Sequence, residues 1–429
     1  MHEVRSRRAI IVGGSLGGLL TGHQLRSIGW DVDIFERTAD DLADRGAGIG
    51  THPALFTAMR RAGLSLDISD CTAPRSYICL DKDNRLVHEA PARRTMTAWS
   101  RLYRPLRDNL PAGSYHNGMH LERIETEERG VTAIFADGSR VAADLLIGAD
   151  GFRSTVRAQM LPALKPAYAG YVAWRALVPE GDLSPATWAA IKDIYVFCVP
   201  EGELLVSYAV PTRDEDRAKG GLSYNIVWYR PASSETLADF CTDASGQSHE
   251  FSIPPPLIRP QVISQMRASA QALLAPPMVN VIERAEQPFF QPIYDLASPR
   301  LTIGRVVLLG DAAFVARPHV GAGVTKAALD AMCLADSIRA AGDNIDVALT
   351  HYDYNQRQLG DWCVARGRHM GMRIRPRRPG EAEPSRGELD RRAELSIRDY
   401  IEVAEDIEKL ADPSISREIA GQRIGLRET

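Results

Sequence analysis

The chain opens on a short apolar run, Ala9-Ile10-Ile11-Val12, followed by Gly13-Gly14-Ser15-Leu16-Gly17-Gly18 and then Leu19-Leu20-Thr21-Gly22-His23-Gln24-Leu25. That pattern predicts a buried strand, a glycine turn and a helix. A second apolar strand, Val32-Asp33-Ile34-Phe35, ends in Glu36. Arg45-Gly46-Ala47-Gly48-Ile49-Gly50 reads as a glycine-rich loop feeding, after Pro53, an amphipathic helix from Ala54 to Leu64. Two hairpins follow from strand pairs around turn residues: Tyr77-Ile78-Cys79-Leu80 with Leu86-Val87-His88 around Asp83-Asn84, and Val131 to Phe135 with Arg140 to Ala143 around Asp137-Gly138. The Asp-Gly pair suits a type I′ turn. Asp144-Leu145-Leu146-Ile147-Gly148-Ala149-Asp150-Gly151 is a buried strand ending in a polar glycine turn.

From about residue 168 to 285 the period-2 signal dominates, with strands at Gly170 to Arg175, Tyr195 to Cys198, Leu204 to Tyr208 and Tyr224 to Tyr229. The α/β pattern then resumes with Arg305-Val306-Val307-Leu308-Leu309, Gly310-Asp311, a long helix from about Val324 to Ala341 and further helix from Tyr352 to Met372. Pro376 and Pro379 break it, and Glu381 to Thr429 is charged with weak helical periodicity. The expected architecture is α/β: a Rossmann-like nucleotide domain built from residues 1–75, 99–167 and 286–375. A substrate domain is inserted into it, from a hairpin at 76–98 and a mainly β section at 168–285, and 376–429 forms a C-terminal helical tail.

Composition narrows the function. At 429 residues, 45% hydrophobic and 25% charged, the chain is an ordinary globular protein able to bury a large core. A net charge of −4 provides no basic field for nucleic acid, and no apolar run approaches the roughly 20 residues of a membrane helix. The apolar stretch after Arg5, Arg7 and Arg8 is too short for a signal peptide. Cys71, Cys79, Cys198, Cys241, Cys333 and Cys363 have neither metal nor disulfide spacing, so reduced thiols, a cytoplasmic location and no metal are expected.

The glycine segment carries chemistry because of where it lies. Gly13 permits the tight turn, Ser15 stands where a second glycine would face a pyrophosphate, and Gly18 lets helix and strand pack closely. The helix N-terminus at Leu16 then offers free N–H groups to phosphate. Glu36, roughly 20 residues beyond, is placed to accept hydrogen bonds from ribose hydroxyls, with Arg37 beside it. Together these define a dinucleotide site. Gly310-Asp311-Ala312-Ala313 stands about 300 residues later and could serve the same molecule. The pair points to FAD.

Three segments in this order resemble the class A flavoprotein monooxygenases, the p-hydroxybenzoate hydroxylase-like aromatic hydroxylases with FAD, over roughly residues 8 to 372. The glycine loop with Glu36 is similar to the family's ADP-binding end. Asp144 to Gly151, followed by Ser154, Val156 and Arg157, resembles its Asp-Gly motif, which implies a role for Asp150 in FAD and NAD(P)H binding. Gly310-Asp311-Ala312-Ala313 with Pro318, Gly321, Gly323 and Asp330-Ala331 resembles the motif around the flavin ribityl chain. The resemblance implies that Asp311 accepts a ribityl hydroxyl, and that backbone N–H groups of Gly321, Ala322, Gly323 and Val324 face the pyrimidine edge. It also implies that Arg45 and Gly48 lie on the loop that meets the flavin. The implied reaction is hydroxylation of an electron-rich ring with NADH or NADPH and O2, oxygen being activated at flavin C4a as a hydroperoxide.

The sequence departs from that pattern where the family commonly has His (Phe314), Gln (Ala322), Asn (Thr325 and Ala54) and Arg (Trp99). Tyr168 to Arg175, with Arg317-Pro318-His319, is most similar to the subgroup acting on dihydroxypyridines. His319, Tyr171, Arg175 and Tyr208 are the candidate polar groups near the ring, although Tyr and His at such positions also serve as core. The partners expected are a small aromatic substrate and O2, and a homodimer is compatible with the sequence. A halogenase on this fold would carry Trp-x-Trp-x-Ile-Pro, which is absent. A flavin dehydrogenase or reductase, or a non-enzymatic flavin-binding redox sensor, is not separated from a monooxygenase by fold alone.

Overall fold

A computed structural model describes residues 7–42, 48–65, 70–212, 221–342 and 344–411. Its first layer is a six-stranded sheet in the order Thr302–Ile303, Val306–Leu308, Leu145–Gly148, Arg8–Val12, Asp31–Phe35, Tyr115–His116. All its pairs are parallel except the antiparallel edge strand Thr302–Ile303. Parallel strands are buried on both faces, which is why Arg8–Val12 and Leu145–Gly148 read as near-continuous apolar runs rather than alternating ones. The helices Leu16–Arg26 and Gly323–Ala341 pack on each other and against this sheet, sharing one core with Leu19, Ile34, Leu146 and Leu334.

The second layer is an eight-stranded sheet, Phe314–Val315, Phe289–Ala297, Ala167–Pro179, Leu222–Pro231, Leu204–Pro211, Ile194–Cys198, Ser76–Leu80, Leu86–Pro91. Alternation along Ala167–Pro179 sends Val172, Trp174 and Ala176 to one face and Tyr171 and Ala173 to the other. The first face is covered by the helices Pro260–Leu273 and Pro276–Arg284. On the other face the C-terminal helix, Arg386–Leu410, lays Ala393, Ile397 and Tyr400 on Tyr77, Tyr195 and Phe197.

Three expectations are corrected. Residues 234–284 are largely helical, in Ser234–Phe240, Pro260–Leu273 and Pro276–Arg284, so the β signal ends near Pro231. Phe289–Ala297 pairs with Ala167–Pro179, so a segment assigned to the nucleotide domain forms a strand of the second sheet instead. The Asp137-Gly138 hairpin is not type I′: only Gly138 has positive φ, at 84°, whereas type I′ needs it at both central residues. Asp137 Oδ1 accepts a hydrogen bond from Ser139 N–H at 2.9 Å, an Asx-type contact that selects the wider loop.

Candidate active site

Two grooves run between the sheets and share Phe152, Arg153 and Ser252, so they form one elongated cleft. The first, of about 520 Å³, is lined by Gly13, Ser15, Glu36, Arg37, Trp99 and Asp150. Gly13 has φ 110°, and a Cβ there would stand 2.3 Å from the Ala149 carbonyl oxygen, so the turn admits only glycine. A Cβ on Gly18 would lie 1.9 Å from the Gly13 oxygen. Ser15 begins the helix Leu16–Arg26 without a side-chain capping bond, which leaves the first-turn N–H groups available to a ligand. Leu16 and Gly18 stand behind this wall, with the Leu16 side chain in the core.

Glu36, 7% exposed, accepts from Gly14 N–H at 2.8 Å and Thr38 N–H at 2.9 Å, one bond to each carboxylate oxygen. Each oxygen retains capacity for a ribose hydroxyl. Asp150 is turned inward: it accepts from Ser154 Oγ at 2.5 Å and from the N–H groups of Thr155 and Val156, capping the helix Thr155–Met160. Burial pushes its carboxyl up, and those hydrogen bonds partly offset the shift. Arg157 ties this motif to the third one, donating to the carbonyls of Phe152, Asp311 and Ala312.

The second groove, a cavity of about 400 Å³, is lined by Gly48, Asp311, Pro318, Gly321, Ala322, Gly323 and Val324 on the nucleotide side. Arg175, Tyr208 and Tyr229 line it on the sheet side, and His319, in the turn Pro318–Val320, lines it from the nucleotide side. Asp311 opens to the cleft, and its carboxyl has no hydrogen bond to the described residues; its position deep in the molecule pushes its pKa up, an effect Lys326 and Arg157 oppose. The helix Gly323–Ala341 starts here without a side-chain cap. Phe314 faces away into a slot where a Cβ on Gly360 would lie 2.2 Å from its ring, so this departure from the family pattern is a packing choice. Arg45 lies outside the described residues.

Tyr171 sits behind the wall with its hydroxyl 2.8 Å from His319 Nε2, while His319 Nδ1 is buried without a partner. Burial and the nearby Arg317 guanidinium hold the His319 pKa down to about 3, so the ring is neutral. Arg317 also donates to the Tyr171 oxygen, leaving the Tyr171 hydrogen for His319 Nε2. With Tyr171 donating to Nε2, the imidazole hydrogen is assigned to the buried Nδ1. Arg175 has its Nε unpaired, and its charge opposes the burial that raises the Tyr208 and Tyr229 hydroxyls.

Tyr229, Tyr400 and Ser396 also line the ring end, and His52 and Arg94 stand behind it. Tyr229 follows from strand alternation once its face is known. Tyr400 belongs to a seam, Ala393, Ile397, Tyr400, Ala404 and Ile407, whose helical spacing is diluted by charged neighbours. For Arg94 no local pattern exists.

The fold and the cleft define a dinucleotide-binding architecture of the FAD-binding type. A family profile described as FAD binding domain-like matches residues 168–295. The chain is 30% identical over 369 residues to 2,6-dihydroxypyridine 3-monooxygenase of Paenarthrobacter nicotinovorans, covering 86% of this chain and 91% of that one. It is 26% identical to 6-hydroxynicotinate 3-monooxygenase of Bordetella bronchiseptica over 76% and 81% of the two chains. The solved structure of 2,6-dihydroxypyridine-3-hydroxylase from Arthrobacter nicotinovorans superposes with a TM-score of 0.80 at 27% identity, covering 89% of this chain and 99% of that one. The chain belongs to the FAD-dependent aromatic-ring monooxygenases, enzymes that use NAD(P)H. No described helix is long and apolar enough to cross a membrane.

Proposed function

We propose that the chain hydroxylates a hydroxylated N-heteroaromatic ring, a dihydroxypyridine or a close analogue, bound as its oxyanion. The observation that carries this is that Arg175 and His319, each with a buried ring or guanidinium nitrogen lacking a partner, line one aromatic-walled cavity continuous with the nucleotide groove. The names of the two relatives support the substrate class.

The residues fit FAD. The uncapped turn at Gly13 to Leu16 and Gly18 would take the pyrophosphate, Glu36 the ribose, Asp311 a ribityl hydroxyl, and the turn from Pro318 through Gly321, Ala322, Gly323 and Val324 the ring edge. Arg37, Asp150 and Gly48 would shape the walls. When bound and reduced by NAD(P)H, FAD supplies activated oxygen to the substrate ring.

The remaining work falls to side chains of this chain. His319 Nδ1–H, polarised through Tyr171 by Arg317, and the Arg175 guanidinium would stabilise negative charge on a ring oxygen, which raises electron density at the adjacent carbon. Tyr208 and Tyr229 would hold the ring and exclude water. A cytoplasmic location fits the six free thiols, and a homodimer is open to measurement by size-exclusion light scattering. The test is to screen FAD-loaded protein with hydroxypyridines and hydroxybenzoates for stimulated NADH and NADPH oxidation. A hydroxypyridine should stimulate best and be hydroxylated; stimulation by hydroxybenzoates alone would refute the ring class.

A further inference from the structure

Arg94 is 5% exposed and lies between the strands Leu86–Pro91 and Met96–Ala98. Its Nη2 donates to the Gly321 carbonyl at 2.9 Å and to His52 Nε2, and its guanidinium stands 4.8 Å over the Tyr400 ring. Nε and Nη1 are buried without partners, and no carboxylate among the described residues pairs with this cation. Its neighbours are neutral: burial and Arg94 itself hold the His52 pKa well down, and His52 Nδ1 turns to Thr325 Oγ1 at 2.8 Å. A buried charge without a counter-ion is costly, so its retention implies negative charge that arrives with a ligand.

The position identifies the ligand. A Cβ on Gly321 would lie 3.3 Å from both Nη1 and Nη2, and one on Gly50 would lie 3.3 Å from Nη2. Both glycines line the ring end of the cleft, so the guanidinium stands behind a wall one backbone thick, beside the uncapped start of the helix Gly323–Ala341. Other cations on that wall are already paired, Lys326 with Asp330 and Arg317 with Asp295.

We propose that Arg94 sets the reduction potential of the bound FAD. Hydride transfer from NAD(P)H moves two electrons and one proton to the flavin, giving NAD(P)+ and a flavin ring that carries one negative charge. Arg94 is the positive charge held ready for it, acting through the Gly321 turn in a medium of low dielectric. It is a positioning residue and touches no reacting atom. The inference rests on the assignment of Pro318 to Val324 to the flavin ring.

The experiment measures, on FAD-loaded wild type, Arg94→Met and Arg94→Lys, the midpoint potential by dye equilibration and the affinity for sulfite, which adds to electron-poor flavin. Arg94→Met should shift the two-electron equilibrium about tenfold toward oxidised flavin, about 30 mV, and weaken sulfite binding about tenfold. Arg94→Lys should stay within about threefold of wild type, since it keeps the charge. An Arg94→Met protein that retains FAD with unchanged potential and sulfite affinity overturns the proposal. If Arg94→Met does not hold FAD, the wild-type potential decides: above that of free FAD in the same buffer supports the role, at or below it overturns it. Gly321→Val, at a φ of 60°, should lose FAD. Full retention there would overturn the placement of the ring and the proposal with it, whereas a silent Arg94→Met beside a flavin-free Gly321→Val removes the role of Arg94 alone.

Discussion

Glu36 and Asp311 mark opposite ends of the cleft and make separable predictions. Glu36→Ala removes the acceptor for Gly14 and Thr38 N–H as well as for ribose, so the purified protein should carry markedly less FAD, read from the ratio of flavin to protein absorbance. Undiminished flavin content would exclude Glu36 from the site. Asp311→Ala, whose carboxyl has no hydrogen bond to the described residues, should leave thermal stability of the apoprotein within about 1 kcal/mol while weakening FAD binding by tenfold or more. The neutral imidazole of His319 has a stability signature. Its folded pKa, about 3, lies below the roughly 6.5 of an unfolded histidine, so below pH 6.5 the unfolded state binds the extra proton. Stability from this group is present above pH 6.5 and is lost as pH falls from 6.5 toward 3. Urea unfolding should therefore lose about 2 kcal/mol more in wild type than in His319→Asn on going from pH 7 to pH 5. An identical loss in both proteins would mean that His319 is charged or exposed.

At the scale of elements, what was legible in the sequence depended on whether the signal was local. The strand at Arg8–Val12, the turn at Gly13 and the helix after it follow from contiguous residues, as does Leu145–Gly148 with its polar turn. The helices between 234 and 284 were missed because they sit among proline punctuation and follow four convincing strands. The pairing of Phe289–Ala297 with Ala167–Pro179 is a long-range register that no local pattern encodes. The C-terminal helix was legible from its weak helical periodicity, and its Ser385–Glu388 capping box marks the start, but its place as a wall of the cleft was not legible. Its packing makes a prediction: Ile397, fully buried against the sheet, should cost about 2–4 kcal/mol when changed to alanine, measured by chemical denaturation. On the other side of the cleft, Lys326 and Asp330 form a buried pair one helical turn apart, with Asp330 also accepting from Gly310 N–H. Asp330→Ala leaves the lysine unpaired and should destabilise by about 3–5 kcal/mol. A loss below 1 kcal/mol would mean that the pair does not brace the Gly310-Asp311 turn.

At the scale of the whole molecule, the two sheets divide the labour. The parallel sheet presents glycine turns and uncapped helix starts at the carboxyl ends of its strands, where an open α/β sheet binds ligands. The eight-stranded sheet presents Tyr208, Tyr229 and Arg175 across the gap. The sequence carried the cofactor half plainly because phosphate and ribose recognition needs particular residues at short spacing. It carried the substrate half poorly, because Arg175 and His319 come to one cavity only after folding and their pattern is defined by which polar atoms lack partners. This cleft directs oxygen activated on reduced FAD into a hydroxylated ring. The most direct measurement is mass spectrometry of the product formed from a stimulating hydroxypyridine, NAD(P)H and 18O2 with FAD-loaded protein. One 18O atom in the product ring hydroxyl is predicted; NAD(P)H oxidation that yields only hydrogen peroxide and unlabelled ring would contradict the account.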